Sequence, residues 1–499
     1  MSTKDDAIKT VDPVDDQPAV FEKGELERSD DGALSRLRWK LDLRLLPLLC
    51  LTYALQSIDK TTLGYAAVFG LQDDLNLKGS EYSWLGAIFY LGYLVWEFPT
   101  NILLQKLPIN HFMSATVIIW GVVLMCHGAS HNFAGQAAAR IFLGAFEASI
   151  NPGTMLLFSM YYERREQPLR MGIWIGSAGL GYVVAGISSF GIGHIHSAIA
   201  SWRLLYIIWG AITVAWGIVL MVLLPGSPLT TRFLNETERA MVVARVRNNG
   251  AGVENKTFKW PQFLEAMMDC KTWLLFLFAV ASNSPNGGLT SFQGLIIKGM
   301  GFSTLKTTLI QMPSGGVQLI ICPLACFFAT HYQNTRLLIM ILCIIPFLVG
   351  VLGLKLLPES NPYGRLVCLW ISFAYRLLDP LHKITTNAMV IIGYCLGNFV
   401  GPFFFKTAQA PVYPLGVGMM FFCIAVQVAC LVVLWGLLWW RNLGRREVCR
   451  ERGVGERVRL TLAYERGMGD ETDFENEYFQ VSLLRLFWLI AHHQSADHI

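Results

Sequence analysis

The sequence predicts an all-α membrane protein, and two observations carry that reading. Between residues 43 and 440 apolar stretches follow one another, bounded by Gly, Pro or clusters of charge. Each is about 20 residues long, the length at which a helix crosses the roughly 30 Å hydrocarbon core of a bilayer. Composition excludes most soluble alternatives: of 499 residues 53% are hydrophobic and only 15% charged, with a mean hydropathy of +0.43.

Taken in order, residues 1–40 are rich in Asp, Glu, Lys and Ser without apolar periodicity, so they read as a disordered cytosolic tail. The first hydrophobic segment begins near residue 43, too late for a short cleavable leader, and span one is expected to serve as an uncleaved insertion signal. Six spans follow at 43–67, 83–104, 112–129, 134–162, 171–195 and 202–224, forming an N-terminal half over 41–224. The stretch 225–269, with Arg232, Glu236, Glu238, Arg239, Arg245, Arg247, Lys256, Lys259 and Glu265, is too polar for lipid and reads as a cytosolic central loop. The C-terminal half, 270–440, holds spans at 273–297, 307–330, 337–357, a short segment at 366–375, then 388–405 and 415–440, before a second cytosolic tail at 441–499.

Orientation follows from Lys and Arg in short loops, which stay on the cytoplasmic side. Arg36, Arg38, Lys40 and Arg44 open span one, Arg164, Arg165 and Arg170 lie between spans four and five, and Arg441, Arg445, Arg446 and Arg450 follow span twelve. Both chain ends are therefore expected in the cytosol, where the sequons at Asn235 and Asn255 would escape glycosylation. Most of the eleven Cys residues lie within spans, which argues against a disulfide framework. Cys322 and Cys326 share a helix face without a His or carboxylate beside them in sequence, so neither a metal nor a cofactor is assigned.

Glycines recur at matching places. Span five carries Gly176, Gly179, Gly181, Gly186, Gly191 and Gly193, and span eleven carries Gly393, Gly397 and Gly401 with Pro402. Such spacing permits close helix approach and bending, and internal repeats are how many secondary transporters are built.

Function is argued from the polar residues left in the spans, because a charge near the bilayer centre costs several kcal/mol and usually faces a cavity or a partner. Span one holds Asp59 and Lys60, span two Glu97 near its inner end, and span four Arg140 and Glu147 on one helix face. Arg140 has two readings, a bidentate ligand for an anionic substrate or a structural partner of Asp59. Glu147 reads as a carrier of a coupling proton or as a permanently paired carboxylate. Glu97, in Glu97-Phe-Pro-Thr-Asn101, suits a gate. In the second half Asn283, Asn286, Gly287, Gly288 and Gln293 lie in span seven, Gln311 and Gln318 in span eight, and Gly397 and Asn398 in span eleven. Pro285 and the glycine pair predict a discontinuous span seven with a gating role for Gly287, Gly288 and Gly397. The amides of Asn283, Asn286, Gln311 and Asn398 suit a substrate with amide or ureido groups, or act as interhelical glue.

The carrying segments are Ser57-Ile-Asp-Lys-Thr-Thr-Leu-Gly-Tyr-Ala66, Glu97-Phe-Pro-Thr-Asn101, Arg140-Ile-Phe-Leu-Gly-Ala-Phe-Glu-Ala148, Asn286-Gly-Gly288 and Ile392-Gly-Tyr-Cys-Leu-Gly-Asn398. With them the chain resembles the major facilitator superfamily, and within it the anion:cation symporters of fungal allantoate permease type. The resemblance implies a major facilitator fold of two six-helix halves, no enzymatic chemistry, and a monomer in the plasma membrane. It also implies proton-driven import of a small organic anion such as allantoate, ureidosuccinate or a vitamin-like carboxylate; nucleic acid has no place among the partners. A nutrient receptor that binds the same ligand without moving it is the alternative. The chain departs from the family at span ten: after Trp370-Ile-Ser-Phe-Ala-Tyr375, Arg376-Leu-Leu-Asp-Pro-Leu-His-Lys383 leads straight on to Ile384. About ten apolar residues cannot cross a bilayer. A missed exon or mis-spliced gene model is the first explanation for the departure and a real loss of transport the second, and a failed crossing would invert span eleven and put the C-terminal tail outside.

Overall fold

The computed structural model describes residues 31–163, 166–247, 264, 267–331, 336–373 and 387–451. The sequence readings that fall on residues 1–30, on Arg164 and Arg165, on the Asn255 sequon, on the junction after Phe373 and on residues 452–499 lie outside them.

Among the described residues every long element is a helix, and eight helices are long and apolar enough to cross a membrane. Span one is a 38-residue helix, Asp31–Val68, that starts well before the apolar run. The expected disorder of residues 1–40 is thus corrected for 31–40. Leu37 is buried there, while Arg38 reaches Glu166 at 2.7 Å and Lys40 reaches Glu238 at 2.7 Å, so tertiary contacts order a segment too polar to order itself. Spans two and three are Glu81–Lys106 and Ile109–Gly128. Span four is two helices, Phe133–Glu147 and Ile150–Tyr161, because Pro152 has no N–H to give the carbonyl of Ala148. Spans five and six are Gln167–Gly193 and Ser201–Leu223, and the central loop contains a helix, Glu236–Arg247.

Span seven corrects a second expectation. It is one continuous helix, Cys270–Gly299, despite Pro285 and the glycine pair. Pro285 cannot donate to the carbonyl four residues back, that of Ala281, and Gln427 of span twelve donates its Nε2–H to that oxygen at 3.1 Å instead. With the freed acceptor satisfied, the helix has no reason to break. The interruption falls in span eight, Thr304–Ile310 and Met312–His331, where Pro313 has no N–H for the Leu309 carbonyl four residues back.

Span nine is Arg336–Leu356, and span ten is Pro362–Ser372, 11 residues. At 1.5 Å per residue that is about 16 Å, half the hydrocarbon core. Span eleven is Asn387–Val400 with a 3-10 turn, Gly401–Phe404. Span twelve, Pro414–Glu451, continues as helix into the expected tail.

Span eleven is not inverted. Gly393 packs on Phe276 and Ala279, Gly397 on Val280 and Asn283, and Gly401 on Ser284 and Gly288, so spans seven and eleven run parallel. Spans one and five do the same in the first half, with Ser177 donating to the Cys50 carbonyl at 3.0 Å and Gly181 against Ala54. The two halves meet where span five lies on span eight, through Gly172, Gly179 and Gly186, and where span two lies on span eleven, through Trp84 against Phe399 and Phe403.

Candidate functional site

The two halves touch near the start of span two and the end of span seven. Tyr82 donates its hydroxyl to the Ser291 carbonyl at 2.6 Å, Lys298 donates to the Val68 carbonyl at 3.1 Å, and Gly64 sits under the backbone of Thr290 and Ser291. Toward the opposite end of span two a cavity of about 510 Å³ opens between spans two, four and eleven, with Glu97, Asn101, Asn151 and Ile391 among its walls.

Between these levels lies the charge cluster of the first half. Asp59, at 0% exposure, accepts a hydrogen bond from Trp120 Nε1 at 2.5 Å. Lys60 Nζ stands 3.9 Å from Glu147 Oε2 and 5.7 Å from the centre of the Phe89 ring. Glu147 is the last residue before the break in span four, so Pro152 fixes where its carboxylate emerges. Arg140 does not pair with Asp59. It donates from Nη2 to the Tyr206 hydroxyl at 3.1 Å, and Tyr206 is stacked on His127 with ring centres 5.0 Å apart. The charges of Arg140, Lys60 and Glu147 all act on Asp59. Lys60 is the most accessible cation, its side chain 14% exposed against 2% for Arg140 as a residue. Asp59 Oδ1 and Arg140 Nε are buried without a hydrogen-bond partner, and the side chain of Gln56, one helical turn before Lys60, faces the Glu147 carboxylate.

In the second half three amides join spans seven and eleven. Asn286 donates to Asn398 Oδ1 at 3.0 Å, and Asn398 donates to Asn283 Oδ1 at 3.2 Å and to the Tyr394 carbonyl at 2.9 Å. Asn283 and Asn398 are buried and Asn286 half-buried. Gln311, at the joint of span eight, donates to the Thr307 carbonyl at 3.2 Å. Gly287 and Gly397 lie where the backbones of spans seven and eleven touch, and Gly288 lies against the Phe405 ring. A Cβ at Gly397 would come within 2.5 Å of the Val280 carbonyl oxygen.

Asp59, Lys60, Arg140 and Glu147 were expected from the sequence to share one region, but Trp120, Tyr206 and Gln56 beside them were not. The available signal was that buried Trp and Tyr need partners for their polar ends.

Two helical halves packed against each other around a buried charge cluster suit a secondary transporter. The Major Facilitator Superfamily profile matches residues 49–391. The chain is 35% identical over 438 residues to an uncharacterized transporter of Schizosaccharomyces pombe, covering 85% of this chain and 84% of that protein. It is 32% identical to the allantoate permease of Saccharomyces cerevisiae, covering 90% of this chain and 86% of the permease. To the thiamine pathway transporter THI73 of the same yeast it is 31% identical, covering 88% and 85%. The crystal structure of a bacterial homolog of the human lysosomal transporter Spinster, in an inward-facing and occupied conformation, shares the fold. Its TM-score is 0.55 at 16% identity, over 78% of this chain and 94% of that one. The chain belongs to the major facilitator superfamily: it is a multi-pass membrane transporter of allantoate permease-like type and not an enzyme.

Proposed function

We propose that the protein is a proton-coupled symporter that imports a small organic anion across the plasma membrane, in the chemical range of allantoate, ureidosuccinate and vitamin-like carboxylates. The observation that carries the reading is the charge count of the buried cluster. Asp59, Lys60, Arg140 and Glu147 are two carboxylates and two cations, which sum to zero when all are ionised. An anion arriving alone would bring uncompensated charge into a region where each such charge costs several kcal/mol. One proton on Asp59 or Glu147 restores neutrality, so anion and proton are best accommodated together.

The geometry suggests an order. Lys60, the more accessible cation, meets the substrate carboxylate first, and the 3.9 Å pair with Glu147 gives way. Glu147, left without its cation, then takes the proton. Arg140, held by Tyr206, supplies a second positive charge deeper in the bundle. The half-buried Asn286 offers an amide to ureido groups, with Asn283, Asn398 and Gln311 holding the wall behind it. The similarity to allantoate permease supports a carboxylate that also carries such groups.

The test is uptake of a labelled panel of ureides and carboxylates in cells lacking their own permeases. Uptake should rise as external pH falls and collapse with a protonophore; accumulation indifferent to both would remove proton coupling. A second reading rests on the 11-residue span ten: a receptor that binds the same anion without moving it. Saturable binding with no counterflow would favour it.

A further inference from the structure

Spans two and eleven pass each other in opposite directions, and the same order of contacts is met along both. Span two touches the second half first at Tyr82, which donates to the Ser291 carbonyl, and at Gly86, which lies against Ser291 and Pro402. Phe89 comes next, with Lys60 Nζ 5.7 Å from its ring centre and Gly144, one turn before Glu147, against its carbonyl. Tyr90 and Tyr93 follow, and beyond them Leu94, Glu97, Phe98 and Asn101 line the cavity. Span eleven repeats the series: Pro402 beside Gly86, Asn398 among the amides, Tyr394, and then Ile392, Ile391 and Val390 on the cavity. On both spans tyrosine stands between the buried polar groups and the cavity.

These rings meet across the halves. Tyr394 approaches Tyr90 with ring centres 5.9 Å apart at 73°, and Tyr93 with centres 6.3 Å apart at 61°, both edge to face. Span four steadies Tyr93, whose hydroxyl accepts from Asn151 Nδ2 at 2.9 Å, and Phe89 backs Tyr90 with centres 5.0 Å apart. The Tyr394 carbonyl accepts from Asn398 Nδ2 at 2.9 Å, so the ring is one helical turn from the amides. From Phe89 to Glu97 the helix axis advances about 12 Å, at ~1.5 Å per residue, and the rings occupy the middle of that distance. We infer that Tyr394, closing against Tyr90 and Tyr93, is the constriction that substrate must pass between the charge cluster and the cavity. Span two meets span four backbone to backbone at Gly92 and Gly144, but it meets span eleven here ring to ring. Tyr394 belongs to the second half and its partners to the first, so relative movement of the halves opens and closes the barrier. The inference rests on the reading that substrate occupies the charge cluster. Its test needs no substrate, so uptake can disprove that reading while labelling decides the constriction.

The experiment measures how fast 2-sulfonatoethyl methanethiosulfonate, a small water-soluble organic anion, modifies a reporter cysteine on each side of the rings. Thr290→Cys reports on the polar side, where half-buried Thr290 donates to Asn286 Oδ1 at 3.3 Å, and Ser159→Cys reports on the cavity wall. The full-length protein is held in phosphatidylcholine nanodiscs, where reagent reaches both faces, and modification is read peptide by peptide so that native cysteines do not interfere. With Tyr394 intact the Thr290→Cys reporter should react slowly and the Ser159→Cys reporter fast. Tyr394→Ala should speed the first at least about tenfold, ~1.4 kcal/mol off the barrier, and leave the second unchanged. Tyr394→Phe keeps the ring and should keep the slow rate. Should Tyr394→Ala not elute as the parent does, Tyr90→Ala removes the facing ring and takes its place. An unchanged Thr290→Cys rate in a folded alanine variant overturns the inference. So do a Tyr394→Phe variant as fast as Tyr394→Ala, both reporters speeding up together, and a Thr290→Cys reporter already as fast as Ser159→Cys behind the intact rings.

Discussion

Replacing Gln427 by Leu tests how this chain keeps a proline inside a continuous membrane helix. Gln427 is 0% exposed, and its Nε2–H satisfies the Ala281 carbonyl that Pro285 leaves without a donor. Removing it strands that carbonyl in a dry interior, at a cost of about 1–3 kcal/mol on mutational scales. Interhelical hydrogen bonds in membranes measured by double-mutant cycles average nearer ~0.6 kcal/mol, with a maximum of about 1.7, so the lower part of that range is expected. Part of the cost is offset, because Gln427 Oε1 is itself buried without a partner and disappears with the mutation. The cycle with Pro285→Ala cancels that common part. The alanine introduced in place of Pro285 has an N–H to donate to the Ala281 carbonyl, so Gln427→Leu should cost about 1 kcal/mol less in the Pro285→Ala background than in the parent. The assay is reversible unfolding in mixed detergent–SDS micelles followed by Trp fluorescence. Equal costs in the two backgrounds would mean that Gln427 does nothing for the proline-freed carbonyl.

The remaining tests probe coupling, packing, electrostatics and topology. Glu147→Gln should retain substrate exchange across proteoliposomes while losing pH-driven accumulation, and unchanged accumulation would remove Glu147 from the proton path. Arg140→Lys replaces a planar fork by a point charge, and markedly weaker substrate binding at normal expression is expected if Arg140 grips a carboxylate. Gly144→Val forces a Cβ into the Phe89 carbonyl and should cost about 1–3 kcal/mol or more of packing, whereas Gly436→Val, with nothing within 4 Å, should elute as the parent does. Asp269 ties the start of span seven to span twelve through Arg441 at 2.9 Å. Burial raises its pKa, but the Arg441 hydrogen bond, the Lys271 amide and the charges of both outweigh this and hold it below the ordinary carboxylate value. A depressed folded-state pKa contributes stability above the unfolded value, about 3.9, that is lost as pH falls through the lower folded one. The melting difference between the parent and Asp269→Asn should therefore persist at neutral pH and vanish only below about pH 4. Because spans seven and eleven are parallel, a C-terminal tag should be protected with the cytosolic side, and an exposed tag would contradict that arrangement.

The sequence by itself determined the class of the molecule, since apolar runs of bilayer length between basic loops leave a chain little choice but to cross a membrane as helices. It also singled out Asp59, Lys60, Arg140 and Glu147, because lipid tolerates so few charges. The short span ten was likewise visible, as a count of apolar residues ended by Arg, Asp and Pro. Pairing was not visible, because it depends on side chains distant in sequence. Only the tertiary structure decided that Arg140 turns to Tyr206 rather than Asp59, and that Glu147 faces Lys60. It also decided that Asn283, Asn286 and Asn398 join two helices. Proline shows the division most plainly. Its missing N–H is written in the sequence, but which proline interrupts its helix is not: the helices run on through Pro47, Pro99, Pro323 and Pro346, Gln427 supplies a donor to the Ala281 carbonyl beside Pro285 in span seven, and span four is interrupted at Ala148.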